Sequence, residues 1–210
     1  MSDEKTTQER LLAAGTALFS KKHYSETSTR EIAEAADANV AAINYHFGSK
    51  ENLYKEVIRK VIRDRKESRK SLIDPLCSDE SLPLKKLIEA FIEGHFELSD
   101  SDDICAVDLP LVFREMSSPG PGFEIIVEEM IRPNHDLLFK HIRREYPSIS
   151  PERASMCIAS LIAQIIHFIR ARKVLESLFG REYDTDFTSR ISQHIVEFSL
   201  AGMEAVACEE

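Results

Sequence analysis

The chain has 210 residues, 43% of them hydrophobic and 30% charged, enough apolar mass for one large domain or two unequal ones beneath an ordinary polar surface. With only seven glycines and no apolar run near the roughly 18 residues that span a bilayer, glycine-rich phosphate loops and transmembrane segments are not expected. Net charge is −9, yet residues 1–70 hold 14 Lys/Arg against 11 Asp/Glu and the remainder 13 against 25, so a mildly basic first part precedes an acidic body.

The first 55 residues alone are nearly neutral, so any affinity for a polyanion there must come from where charges sit. Met1-Ser2-Asp3-Glu4-Lys5 lacks the apolar stretch of a signal peptide, which gives the expectation of a cytoplasmic protein. Cys77, Cys105, Cys157 and Cys208 are scattered, without metal-site or disulfide spacing, and read as reduced structural thiols.

Apolar residues recur at helical period almost everywhere and no segment alternates as a strand, so the fold class is all-α. Leu11, Leu12, Ala14, Gly15, Leu18 and Phe19 form the stripe of a first helix. After a linker from Lys22 to Thr27, Ser28 and Glu31 make a Ser-x-x-Glu capping box for a second helix, with Ile32, Ala33, Ala35 and Ala36 as its apolar positions. Asp37-Ala38 breaks it, Asn39 caps a very short third helix from Val40 to about His46, and Gly48 ends that helix. Ser49 caps a fourth, Lys50 to about Leu72. Further helices are expected at 83–98, 102–116, 123–144, 151–178 and 187–207, with the clearest loop at Ser117-Ser118-Pro119-Gly120-Pro121-Gly122. Pro110 and Pro133 should each kink or divide a helix. Residues 1–55 are thus a three-helix head, the helix from about 50 a connector, and 56–210 a larger helical body.

Two helices separated by three or four residues, the second one short, form the geometry that lets a helix enter a DNA major groove. On the short helix, Ile43 and Phe47 are four apart and point inward, leaving Val40, Ala41, Asn44, Tyr45 and His46 outward. Small residues at its start allow close approach to base edges, Asn44 can donate and accept there, and Tyr45 and His46 can reach phosphate oxygens. Thr29 and Lys50 begin helices, where free backbone N–H groups also favour a phosphate. The basic run Arg59, Lys60, Arg63, Arg65, Lys66, Arg69 and Lys70 winds around several helix faces among Asp64 and Glu67, as on a solvated connecting helix.

The segment Thr27 to Tyr54 resembles the DNA-binding head of TetR-family regulators, above all in Tyr45-His46-Phe47, Lys50-Glu51, Leu53 and Tyr54. That resemblance implies a two-domain helical subunit, a homodimer built on the last two long helices, and a pocket for a small-molecule effector in the body. By position it implies DNA contacts at Thr29, Asn39, Val40, Ala41, Asn44, Tyr45, His46 and Lys50. Phe113-Arg114-Glu115-Met116, Ile131-Arg132-Pro133 and Phe198-Ser199-Leu200-Ala201-Gly202 are similar to the CerR-type (CecR-like) subgroup. His23 and Asp37 stand where the family has glycines, at turns that need φ > 0, and Ala41 replaces a common glycine.

Within such a body the pocket is expected to involve Phe96, Phe113, Arg114, His135, Phe139, His167 and Arg170. The dimer face is expected to hold Ile158, Ile162, Ile165, Ile169, Ile191, Ile195, Phe198 and Gly202, the last allowing close helix approach. His95, His135, His141 and His167 with Glu115 show no ligand spacing, so neither a metal nor a cofactor is expected. The function this points to is a DNA-binding transcriptional regulator, a homodimeric repressor released from a pseudo-palindromic operator by a small molecule, with no membrane partner. Alternatives are a helical adaptor that has lost DNA binding and an enzyme. Against the enzyme, no Gly-x-Ser-x-Gly, His-Glu-x-x-His, phosphate-loop or paired-carboxylate pattern is present.

Overall fold

The computed structural model describes the backbone of residues 6–77, 81–100 and 102–208, and the side chains of 6–67, 81–96 and 110–208. Among these residues there are eleven α-helices and no strand. They are α1 (Thr7–Lys21), α2 (Thr29–Ala35), α3 (Val40–Phe47), α4 (Lys50–Cys77), α5 (Leu84–Asp100), α6 (Asp102–Ser117), α7 (Phe123–Ile126), α8 (Arg132–Glu145), α9 (Pro151–Arg170), α10 (Arg172–Phe179) and α11 (Thr185–Cys208). A 3₁₀ turn, Tyr24–Glu26, lies between α1 and α2, and a π-helical stretch, Val127–Ile131, joins α7 to α8.

Local chemistry explains most of these limits. Thr6 with Glu9, and Ser28 with Glu31, form complete capping boxes at the starts of α1 and α2. Ser150 caps α9, with Pro151 in its first turn, where the missing N–H costs nothing. Gly180, in the left-handed region at φ +65°, ends α10. Two expected helices are divided. The 123–144 segment passes through the π stretch just before Pro133, whose ring cannot sit on the preceding carbonyls in an α ladder. The 151–178 segment breaks at Ala171. Pro110, by contrast, does not end its helix: α6 is helical on both sides of it.

Packing separates the chain into two compact units, Met1–Glu67 with Ser101–Ile131, and Ser68–Asp100 with Arg132–Glu210. A boundary at 55 follows the end of the head's short helices; the packed unit also takes in α6 and α7. Its core joins Leu11 and Phe19 of α1, Ile32 of α2, Ile43 of α3, Leu53, Tyr54 and Ile58 of α4, Leu111 of α6 and Ile126 of α7. Gly15 is what lets α4 approach α1: a Cβ there would stand 3.3 Å from Val57 Cγ2.

The same core holds a buried acid. Glu115, 3% exposed, accepts from the Tyr54 hydroxyl at 2.5 Å and from the backbone N–H groups of Gly120 and Gly122 at 3.0 and 3.2 Å. Burial, and then this bond, push the Tyr54 hydroxyl well above the ordinary tyrosine pKa. The Pro-Gly loop is therefore pinned down on the acid.

The second unit packs α5, α8, α9, α10 and α11 around Phe91, Leu138, Ile142, Leu161, Ile165 and Ile195. One of its helices, α9, is long and apolar enough to cross a membrane, contrary to the reading of the sequence by apolar runs. Its Ala154, Ile158, Leu161 and Ile165 are buried in this core, and Gln164 donates to Ser199 of α11 at 3.2 Å.

A methyl group at 122 would lie 2.7 Å from Ile58 Cγ1, and one at 120 would lie 2.8 Å from Glu115 Oε1. Gly122→Ala is accordingly expected to lower stability by about 1–3 kcal/mol through overpacking. Urea unfolding would show this as a lower midpoint at an unchanged slope.

Candidate nucleic-acid interface

The short α3 owes its presentation to a tight turn before it. Asp37 adopts φ +47°, the left-handed conformation expected there, and the Ala38 N–H closes back on the Ala33 carbonyl at 2.9 Å. Arg10 of α1 donates to the carbonyls of Ala36 and Asp37 at 3.1 and 3.4 Å, which holds the end of α2. His23 does not share this feature. Its φ is −63°, an ordinary extended conformation preceding a 3₁₀ turn, so the left-handed geometry expected at that position is corrected.

Asn39 caps α3, its Oδ1 accepting from the Ala41 N–H at 2.9 Å. That cap leaves the amide NH₂ of Asn39 as a donor. Ile43 and Phe47 are buried, as their spacing requires, and they fix the rotation of the helix about its axis. That rotation turns Val40, Ala41, Asn44 and Tyr45 outward, with Tyr45 85% exposed. His46 is half-buried and packs edge-on to the Tyr45 ring, with centroids 5.0 Å apart. Gly48 at φ +78° ends the helix, and Asn52 Nδ2 donates to the Phe47 carbonyl at 3.0 Å.

Thr29 sits half-buried in the first turn of α2, whose N-terminus is closed by Glu31. Lys22 at 2.7 Å, followed by the Ser28 backbone, lowers the Glu31 carboxyl to about 2. Lys50 is held more tightly than its sequence position suggests. Its Nζ donates to the Tyr24 carbonyl at 2.6 Å and lies 4.1 Å from the centre of the Tyr24 ring. Partial desolvation lowers its pKa. Two N–H groups of the ammonium remain for a phosphate oxygen. The first half of α4 carries several ion pairs: Lys55 pairs with Glu51, Arg59 with Glu56 and Glu129, and Lys60 with Asp64.

The residues expected in an effector pocket are spread over both units. Phe113 and Arg114 belong to the first, and Phe96, His135, Phe139, His167 and Arg170 to the second. Arg114 is a correction: its guanidinium donates to the carbonyls of Phe19, Ser20 and Lys22 at 2.7, 3.1 and 2.5 Å, capping the end of α1. Nothing in the sequence joined it to residues more than ninety positions earlier. Phe96 is buried in the second core, and His135 stacks on Phe139 with centroids 5.6 Å apart and meets Ser155 Oγ at 3.1 Å. His167 lies edge-on to Phe168. Among the described residues no group of His, Cys, Asp and Glu is placed to hold a metal ion. Cys157 and Cys208 are free thiols, while the side chains of Cys77 and Cys105 lie outside the described residues.

The expected dimer residues divide in two. Ile158, Ile165, Ile191 and Ile195 are buried inside the protomer's own core and are not available to a partner, because they occupy the inward ridge of α9 and α11. Ile162 and Ile169 are partly buried against that core. Phe198, 63% exposed, and Gly202 do face outward. With Met156, Cys157, Gln164 and Ser199 they line an open groove of about 350 Å³. None of the seven expected pocket residues lines it.

Comparison with known proteins identifies the family. Residues 11–57 match the family described as bacterial regulatory proteins, tetR family. Residues 84–203 match the C-terminal domain of the HTH-type transcriptional dual regulator CecR. The CecR protein of Shigella flexneri is 31% identical over 208 residues, covering 93% of this chain and 92% of that one. A transcriptional regulator from Rhodococcus sp. Rha1 shares the fold at TM-score 0.61 and 16% identity, over 94% of this chain and 97% of its own. A TetR transcriptional regulator from Legionella pneumophila does so at TM-score 0.54 and 21% identity, over 93% and 98%. The CecR relative, matched over 93% of this chain, is a regulator of transcription, not an enzyme.

Two substitutions separate the roles on this face. Lys50→Ala is expected to weaken DNA binding and to reduce the slope of log affinity against log salt by about one unit. Tyr45→Ala should weaken binding to all sequences at an unchanged slope, because Tyr45 is neutral. Fluorescence anisotropy across a salt series measures both.

Proposed function

Because this chain belongs to the tetR family of bacterial regulatory proteins, as a CecR-type transcriptional regulator with a DNA-binding helix-turn-helix, we propose that it is a homodimeric repressor released from its operator by a small molecule. The observation that carries this reading is the fixed rotation of α3, with Ile43 and Phe47 inside and Val40, Ala41, Asn44 and Tyr45 outside. Such a face fits a major groove. Asn44 reads a base edge, Val40 and Ala41 allow close approach, and Thr29, Asn39, Tyr45, His46 and Lys50 meet the phosphate backbone.

Two copies place two such helices in successive major grooves, roughly 34–36 Å apart, on a pseudo-palindromic site. The surface that supports pairing is the outward face of α9 and α11, where Met156 and Phe198 are 58% and 63% exposed beside Gly202. Large apolar side chains gathered at one groove mark an interaction surface. The protein acts where DNA is, in the cytoplasm, with no membrane partner.

Release follows from differential binding. A small molecule held in the second unit, with Phe96, His135, Phe139, His167 and Arg170 as candidate contacts, favours a conformation with the wrong head spacing. A hundredfold release of DNA requires about 2.7 kcal/mol of preference between the two states. The similar CecR protein is by name a dual regulator.

A gel shift with the DNA upstream of the protein's own gene, at two salt concentrations, tests the reading. Binding that weakens with salt supports it, and the absence of binding to any duplex points to an adaptor. Asn44→Ala is expected to relax preference at one base position in each half-site, seen in a selected-site profile. Phe198→Glu should convert the dimer to monomer in sedimentation and weaken operator binding in parallel.

A further inference from the structure

Two groups read as phosphate contacts, Thr29 and Lys50, lie at the ends of chains of neighbouring side chains that begin at two adjacent residues of α6, outside the helix-turn-helix. α1 ends without a left-handed glycine: its C-terminal cap, Lys22, has φ −126°. The last carbonyls of that helix therefore need another donor. Arg114 supplies it, spanning the carbonyls of Phe19, Ser20 and Lys22 at 2.7, 3.1 and 2.5 Å. From Lys22 the path continues through its ion pair with Glu31, 2.7 Å long, and Glu31 closes the start of α2 at Ser28, beside Thr29.

A second path begins at Glu115. It accepts from the Tyr54 hydroxyl, and the Tyr54 ring lies 5.0 Å from the ring of Tyr24. The Tyr24 carbonyl and ring in turn hold the Lys50 ammonium. Both groups expected at phosphates beside α3, Thr29 and Lys50, thus depend on neighbouring side chains of α6. We propose that Arg114 and Glu115 are positioning residues for DNA binding: α6 is a working part of the DNA-binding head, setting where α1 ends and where the turn between α1 and α2 lies. The proposal rests on the reading of the chain as a DNA-binding regulator.

The test uses full-length protein and a fluorescein-labelled duplex recovered from a random-sequence pool by the wild type. Arg114→Met, Arg114→Lys and Glu115→Gln are compared well below each variant's Tm, where circular dichroism shows them folded. A cap that served stability alone would lower Tm and leave Kd unchanged under those conditions. Arg114→Met is expected to weaken binding about tenfold, equivalent to about 1.4 kcal/mol. The salt slope stays unchanged, since no phosphate contact is deleted. Amide exchange should quicken across residues 19–27 and not in the rest of the core. Arg114→Lys, which keeps the charge without the planar fork, should fall between wild type and Arg114→Met. Glu115→Gln should weaken binding in the same direction. If Arg114→Met does not fold, Arg114→Lys carries the same comparison. Folded variants that bind within about twofold of wild type overturn the proposal. Failure of the wild type to enrich any duplex overturns it together with the regulator reading, and is distinguished by appearing before any substitution is made.

Discussion

Glu115 is an acid taken out of water, and the geometry of the first unit follows from satisfying it. Leaving a carboxyl group buried without donors would cost several kcal/mol. Three donors meet it: the Tyr54 hydroxyl and the N–H groups of Gly120 and Gly122. Each has a structural consequence. Tyr54 ties the start of α4 to α6. The two amides can reach the acid only if the loop lies directly against it, where a Cβ at 120 would press on Glu115 and one at 122 on Ile58. The residue before the acid, Arg114, then reaches the end of α1. Two consecutive residues on one helix fasten α1, α4 and the Pro-Gly loop together.

A common device recurs through the head. Its helices end in carbonyls that take side-chain donors from elsewhere: Arg10 at the end of α2, Arg114 at the end of α1, Asn52 at the end of α3, and Lys50 at the 3₁₀ turn. Cations at helix C-termini are favoured by the local dipole as well as by hydrogen bonding. This accounts for a nearly neutral head that still presents a DNA-binding face. Arg10, Arg114 and much of the base of α4 neutralise the protein's own carbonyls and carboxylates. Under the proposed reading, the field offered to a phosphate would come from helix starts and a few positioned groups, such as Lys50.

What the sequence made legible was local. The capping box of Ser28 and Glu31, the Asn39 cap and the four-residue spacing of Ile43 and Phe47 each act within one turn of helix, and each is found in place. Asp37 could be assigned a left-handed turn because the residue type tolerates it. His23 could not be distinguished from it, since φ there is decided by the 3₁₀ turn that follows. Arg114 was out of reach for another reason: it caps a helix that ends more than ninety residues earlier. No periodicity encodes that pairing.

The last two long helices show why apolar spacing alone cannot place an interface. On α9 and α11 the isoleucines at positions 158, 165, 191 and 195 repeat at helical period, as residues of a dimer seam would. So do core residues, and a helix packed on its own protomer must satisfy that core first. The isoleucines turn inward, where branched side chains pack against α5 and α8. The outward ridge falls to Met156, Phe198 and Gly202, one flexible, one aromatic and one without a side chain. An outward ridge with a groove beside the glycine suits the pairing proposed above, whereas turning those isoleucines outward would have left the protomer without a core. Burial within the chain thus decides which of two equally periodic faces is left for a partner.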